Sequence, residues 1–162
     1  ENTLPSNPNS FSVLGAYLTY LYALSANDTS LLRFPRAGGG FSEGVSWLKE
    51  TLHPDSTASL AVNDMVYIFS NHTLTQFSRG KAVRAFELPA IPPDHLLLAV
   101  EPDNQLIVGL DAPNRRLIVW NSEGALVQQY FSDQLGDIRS ISLHNQSISL
   151  STTTATFEIA LP

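Results

Sequence analysis

The chain has 162 residues, the size of one ordinary domain, and 43% of them are hydrophobic whereas only 15% are charged. Its net charge of −6 and isoelectric point near 5.0 argue against nucleic acid or an anionic membrane surface as a partner, because both favour clustered Lys and Arg. The absence of cysteine excludes disulfides and thiolate chemistry. No apolar run reaches the roughly eighteen residues that a membrane-spanning helix needs.

Residues 1–11 are predicted to be a linker. They are polar, contain Pro5 and Pro8, and begin with Glu1 rather than methionine. We therefore expect the chain to be a piece of a longer protein, attached through a missing upstream segment.

Apolar runs recur along the rest of the sequence at a nearly constant spacing. The clearest series begins at Leu31, Leu74, Leu117 and Thr156, which gives spacings of 43, 43 and 39 residues. Two further short runs precede each member, and a fourth run follows in at least two copies. The second runs are Leu21–Leu24, Val66–Phe69, Leu106–Gly109 and Ser147–Leu150. The first runs are Ser12–Ala16, Ser59–Val62, Leu96–Val100 and Ile138–Leu143, and the fourth runs are Ala82–Leu88 and Ala125–Phe131.

A period of about 40–50 residues with four strands per unit is typical of a β-propeller. The sequence therefore predicts an all-β fold of about four four-stranded blades, with approximate boundaries at 12–52, 53–93, 94–135 and 136–162. The fourth copy lacks an obvious outer strand. Either residues outside this chain complete the ring, so that this is a partial propeller, or a small ring closes here.

Each blade has two apolar faces and needs neighbours to bury them. We predict that the aromatic residues ending the third strands, Phe34, Phe77 and Trp120, pack between blades, because aromatic side chains dominate core energetics.

Residues 41–52 interrupt the β pattern of the first copy. They follow Gly38–Gly40, and Phe41, Val45, Leu48 and Leu52 recur at helical spacing. This predicts a short helix near 42–51 in place of the fourth strand.

Residues 105–124 read "QLIVGLDAPNRRLIVWNSEG". This stretch resembles an NHL-type repeat of six-bladed-like propellers, with Asp111 and Asn114-Arg115 matching the turn between the second and third strands. Residues 71–81, "NHTLTQFSRGK", are similar to a variant of that unit. The chain also resembles the propeller part of bacterial membrane-tethered proteins, which implies an extracytoplasmic module in the periplasm or at the cell surface.

The same turn contains the candidate binding residues. Arg115 and Arg116, with Asp111 and Asn114 beside them, could clamp an acidic partner. The resemblance instead implies a structural role for Arg115, tying the turn to a neighbouring blade.

No reaction chemistry stands out in the sequence. There is no G-x-S-x-G elbow, P-loop or H-E-x-x-H motif. The histidines fall in predicted loops without metal-site spacing, so we predict no metal and no cofactor: they are His53, His72, His95 and His144. The loop carboxylates are interpreted as solvated turn residues: they are Glu101, Asp103, Asp111, Asp133 and Asp137.

These observations predict a non-catalytic module for protein–protein interaction or assembly. Its partner would be a protein, or a second copy meeting the terminal blades, with no nucleic acid and no membrane insertion by this segment. Two alternatives remain open. The chain could be a ligand-sensing domain of a membrane-bound signalling protein, or a glycan-active enzyme with its site at the mouth of the propeller.

Overall fold

The computed structural model describes residues 11–25, 30–101, 105–145 and 147–161. These residues form strands β1 to β16 and one 3₁₀ helix, Asp133–Asp137. The predicted linker at 1–11 lies outside the described residues except for Phe11, which begins the first strand. Within the described ranges, no helix has the length and apolar character needed to cross a membrane.

The strands form four antiparallel sheets, called blades 1 to 4 in chain order. Blade 1 contains β1 (Phe11–Tyr17), β2 (Tyr20–Ser25), β3 (Ser30–Ala37), β4 (Gly40–Phe41) and β5 (Val45–Ser46). Blade 2 contains β6 (Ser59–Val62), β7 (Val66–Ser70), β8 (Thr73–Ser78) and β9 (Lys81–Ala85). Blade 3 contains β10 (Leu97–Val100), β11 (Leu106–Asp111), β12 (Arg116–Asn121) and β13 (Leu126–Phe131). Blade 4 contains β14 (Ser140–His144), β15 (Ser147–Ser151) and β16 (Thr156–Ala160).

Tight turns join the strands within a blade. Asn71 and His72 both have positive φ, +50° and +55°, as do Arg79 and Gly80 at +51° and +83°. Two consecutive positive φ angles match the right-handed twist of the flanking strands, so each pair closes a two-residue hairpin. Gly124 supplies the same left-handed conformation, φ +81°, to the turn before β13.

The four blades form a ring, a four-bladed β-propeller, and the predicted all-β propeller fold is confirmed. The first strands of successive blades contact one another, β1 with β6, β6 with β10, and β10 with β14. Each of the four recurring apolar runs of the sequence lies on the third strand of its blade. The repeat therefore corresponds to one blade.

Apolar clusters fill the spaces between successive blades. Phe77 lies in the cluster between blades 1 and 2, and Trp120 lies in the cluster between blades 2 and 3. Phe34 is 1% exposed but lies on the other face of blade 1, with Leu21 and Ala23 of the same blade. A third cluster lies between blades 3 and 4, so three clusters join consecutive blades, whereas the cluster around Phe34 contains residues of blade 1 alone.

The predicted helix near 42–51 is wrong. The Trp47 amide donates to the Leu31 carbonyl at 2.8 Å, and the Lys49 amide donates to the Gly80 carbonyl at 2.8 Å, so the backbone pairs with β3 and with the β8–β9 turn instead of with itself. Val45–Ser46 adds to the edge of β3 as β5, and Val45 is 51% exposed. Phe41 packs against the cluster within blade 1, whereas Leu48 and Leu52 belong to the cluster between blades 1 and 2, so the four apolar residues do not form one helical face.

Asp55 ties the segment that enters blade 2 to the β7–β8 turn. Its carboxylate accepts the Thr57 amide at 3.1 Å, the Thr57 hydroxyl at 2.9 Å and the Asn71 amide at 2.9 Å. Burial alone would raise the pKa of this carboxyl, but the hydrogen bonds from Thr57 and Asn71 outweigh it and hold the pKa below its ordinary value.

We expect Asp55→Asn to lower the free energy of unfolding at pH 7 by roughly 0.5–1 kcal/mol, because the site is partly solvated. A pKa lowered by folding stabilises the protein above the unfolded pKa of about 4, and this contribution is lost as pH falls through the folded pKa. The free energies of unfolding of the two proteins, measured by urea denaturation, should therefore converge as the pH falls below about 4. Asp94→Asn, at a side chain 83% exposed, is the control, and an equal loss in that variant would contradict the assignment.

Candidate functional site

The predicted binding turn between β11 and β12 is built around a buried carboxylate. The Asp111 side chain is 0% exposed and pairs with Arg116, which is 4% exposed, at 2.7 Å. Asn114 Nδ2 donates to both Asp111 oxygens, at 3.1 and 2.9 Å. Arg116 also donates to Gln129 Oε1 at 3.2 Å and to the Ile91 carbonyl. Asp111 and Arg116 thus connect the turn to the segment between blades 2 and 3.

Arg115, in contrast, faces solvent. Its φ is +52°, and its guanidinium pairs with Asp133 at 2.6 Å, the two side chains being 60% and 91% exposed. Both line an open depression of about 410 Å³ together with Asn114 and the exposed Phe131. Of the four predicted binding residues, the structure therefore brings Asn114 and Arg115 to the surface and buries the other two.

Two of the histidines contact backbone carbonyls. His72 Nδ1 is 3.1 Å from the Pro93 carbonyl, and His95 Nδ1 is 3.0 Å from the Thr57 carbonyl. Across the residues that the structure describes, no group of three or more His, Asp or Glu side chains could hold a metal ion.

One acid–histidine pair forms where three blades meet near the axis. His144 Nδ1 lies 3.2 Å from Glu101 Oε1, with the side chains 79% and 13% exposed. The Asn145 amide donates to the same oxygen at 2.9 Å, and Asn63 Nδ2 donates to the Glu101 carbonyl at 3.2 Å. Glu101 therefore joins the turns of blades 2 and 4 at one end of the ring. Asp103, another candidate carboxylate, lies outside the described residues.

Blade 4 differs from blades 2 and 3 in its third strand. In the described part of the chain, β16 pairs with β15 on one side and with no strand on the other. Ile118, the residue of blade 3 equivalent to Phe157, is 0% exposed in a blade that has an outer strand. Phe157 on β16 is 43% exposed. An open strand edge with exposed apolar side chains is a site for adding another strand.

The register of blade 4 shows which backbone groups this edge presents. The Thr152 amide donates to the Ala155 carbonyl at 2.9 Å, which makes this pair of the hairpin a hydrogen-bonded one. Hydrogen-bonded and non-hydrogen-bonded pairs alternate in an antiparallel ladder. Glu158 pairs with Ser149 three steps further along, so its amide and carbonyl point away from β15. We call this side of Thr156–Ala160 the blade 4 edge.

Side chains beside the blade 4 edge give it chemical character. Ser142, Ser149 and Glu158 stand in register on the face turned away from blade 3, and Glu158 is exposed. A depression of about 360 Å³ lies at the N-terminal end of β16, and its lining includes Arg139, Thr154 and Phe157. The missing outer strand of the fourth copy was the sequence signal for this surface.

The ring of four blades, with its first strands around the axis, defines the chain as a β-propeller. It is similar to virginiamycin B lyase from Staphylococcus aureus, with a TM-score of 0.69 and 9% identity over 97% of this chain and 53% of the other. It is similar to the computationally designed Ika4 protein, with a TM-score of 0.64 and 11% identity over 99% of this chain and 96% of the other. Kuenenia stuttgartiensis hydrazine synthase gives a TM-score of 0.63 and 10% identity over 99% of this chain and 48% of the other.

The chain thus spans about half the length of the two natural proteins. Identities this low show the fold alone. No protein-family model matches the chain, and no curated protein matches its sequence. The NHL-type character of the repeats therefore stays an expectation.

Proposed function

We propose that the chain is a non-catalytic interaction module that binds an extended strand of a partner protein along the blade 4 edge. The observation that carries the proposal is β16 itself, which holds the place of a third strand yet exposes Phe157 and directs the Glu158 amide outward. Binding would add the outer strand that blades 2 and 3 already have. Main-chain hydrogen bonds would supply affinity, and side chains on alternate positions would supply specificity.

The side chains of the partner strand follow from blade 2. There Gln76, the residue equivalent to Glu158, stands opposite Arg84 of the outer strand. A carboxylate at this position favours a basic residue even more strongly, since opposite charges across strands attract. We therefore infer a partner strand with Lys or Arg opposite Glu158 and apolar residues beside Phe157 and Ile159.

A second copy of this chain fits the edge less well. Antiparallel pairing of β16 with its own copy, centred on the strand, would place Glu158 opposite Glu158. Like charges directly opposite each other are destabilising. We therefore expect the isolated chain to sediment as a monomer of 17.7 kDa.

The peptide KAVRAFEL, the sequence of residues 81–88, is the probe for this site. We expect saturable binding in fluorescence anisotropy that weakens more than about tenfold in Glu158→Pro, because proline removes the outward amide without breaking a β15 hydrogen bond. Glu158→Ala keeps the amide and should weaken binding roughly two- to fivefold through the lost charge pair.

The control peptide replaces its arginine, Arg84 in the chain, with glutamate and should bind more weakly to the unaltered protein than to Glu158→Ala. Equal binding of KAVRAFEL to Glu158→Pro and to the unaltered protein would refute the edge as the site. A dimer that Glu158→Pro disrupts would instead make a second copy the occupant.

The module is further proposed to be extracytoplasmic and tethered within a longer protein. The resemblance of the chain to the propeller part of bacterial membrane-tethered proteins supports this placement. Protease accessibility of the full-length protein on intact cells, and on cells whose outer membrane has been permeabilised, tests it. Protection under both conditions until the inner membrane is lysed would contradict it.

A glycan-active enzyme is the second candidate function. The observation that favours it is the Glu101–His144 pair near the axis, with the two side chains 3.2 Å apart, since an acid and a base held together can transfer protons. Incubation with a panel of polysaccharides tests it. Release of products that His144→Ala abolishes would establish this function in place of the first.

A further inference from the structure

A cleft between blades 1 and 2 concentrates positive charge in an acidic protein. Its lining includes Tyr22, Arg33, Trp47, Lys49, Asp64 and Arg79, and it encloses about 440 Å³. Three of the nine Lys and Arg residues of the chain therefore meet at one place, although the net charge is −6. We call this the basic cleft.

The cations of the basic cleft outnumber the carboxylates that line it. Within the part of the chain that the structure describes, none of Arg33, Lys49 and Arg79 forms an ion pair with a carboxylate. Asp64 is the one acidic side chain in the lining, so three cations and one carboxylate leave a formal charge of +2. Like charges gathered without partners repel one another, and a bound anion relieves that repulsion.

Arg33 is held in place by aromatic rings. Its guanidinium carbon lies 4.6 Å from the centroid of the Tyr20 ring, and Arg33 pairs with Tyr22 across β2 and β3. Arg33 Nε is buried without a hydrogen-bond partner among the described residues. A guanidinium fixed by stacking loses little conformational entropy when it binds an oxyanion.

Aromatic side chains form the rest of the wall. Trp47 meets Tyr22 edge-on, with ring centroids 6.0 Å apart. Burial raises the pKa of the Tyr22 hydroxyl, while its hydrogen bond with Arg33 acts in the opposite direction, and the hydroxyl remains a proton donor at neutral pH. The basic cleft thus combines cations, a hydroxyl donor and apolar ring surface.

We propose that the basic cleft binds a compact dianion of the phosphate monoester type. Two units of uncompensated charge match a dianion, and Arg33 and Arg79 can each present a fork of N–H donors to its oxygens. The ring surface of Trp47 is available to the organic part of such a ligand. The cleft is separate from the blade 4 edge, and its occupancy does not depend on the partner proposed there.

Phenyl phosphate and phenyl sulfate are the probes, since they share a size and differ in charge. Phosphate monoesters have a second pKa near 6, so phenyl phosphate gains its second charge between pH 5 and 7.5. We expect calorimetric binding of phenyl phosphate to tighten over that range, and phenyl sulfate to bind weakly at either pH. Trp47 should report the event by fluorescence, because Trp120, the other tryptophan, is fully buried.

Two double variants distinguish binding in the basic cleft from attraction by the overall electrostatic field of the protein. Lys49→Ala/Arg79→Ala should weaken phenyl phosphate binding about tenfold. Arg36→Ala/Arg139→Ala removes the same charge from residues outside the cleft lining and should leave the affinity within about twofold. No saturable binding to the unaltered chain, or equal losses in both double variants, would overturn the proposal.

Discussion

We expect Arg116→Met to lower the free energy of unfolding by about 3–5 kcal/mol, the cost of breaking a buried ion pair by removing one partner. Arg116 Nε and Nη2 lie 2.8 and 2.7 Å from Asp111 Oδ2, and neither side chain is more than 4% exposed. Methionine fills much of the volume but leaves the Asp111 carboxylate buried with Asn114 as its main donor. Urea denaturation followed by circular dichroism measures the loss through the transition midpoint.

Two further variants identify the cause of that loss. Asp111→Leu/Arg116→Met removes both charges and should be more stable than Arg116→Met alone, because no uncompensated charge remains. Arg115→Ala should cost less than about 1 kcal/mol, since its ion pair with Asp133 is solvated. If Arg115→Ala and Arg116→Met are equally destabilised, the buried network does not support the turn.

The sequence repeat made the fold predictable. Four apolar runs recur at intervals of about one blade, and each of them lies on the third strand of its blade. The segment at 41–52 was mispredicted because its neighbours in space, Leu31 and Gly80, are distant in sequence. Gly44 gives the physical reason for the extended path: a Cβ there would lie 2.3 Å from the Phe34 ring, so the chain passes directly over that side chain.

The surfaces were predictable to different extents. The outer side of β16, which pairs with no strand in the described part of the chain, corresponds to the absence of an obvious fourth run, so the sequence located the blade 4 edge. The basic cleft left no local signal, because Arg33, Lys49 and Arg79 come from separate segments and the average charge of the chain is negative. The sequence also could not show that Arg115 is exposed and Arg116 is buried, because the two residues are neighbours in the chain.

We expect Trp120→Ala to lower the free energy of unfolding as much as Arg116→Met does. The reason differs, because this substitution leaves a cavity between blades 2 and 3. The ring is 0% exposed and meets Phe86 edge-on at 6.4 Å, and its Nε1 donates to the Glu87 carbonyl at 2.6 Å. Truncating a buried tryptophan costs about 3–5 kcal/mol. At roughly 2–4 °C per kcal/mol for a chain of this length, the melting temperature should fall by roughly 6–20 °C in calorimetry.

Gly109 supplies an internal check on this cavity, because the Trp120 ring packs directly against its backbone. A Cβ at Gly109 would lie 2.9 Å from the ring and 3.2 Å from Leu96. Gly109→Ala should therefore cost about 1–3 kcal/mol in the unaltered chain through overpacking. In the Trp120→Ala background the same methyl group meets an empty space, so its cost should largely disappear, because residues in contact are not additive. Additive losses in the double variant would mean that the ring does not rest on Gly109.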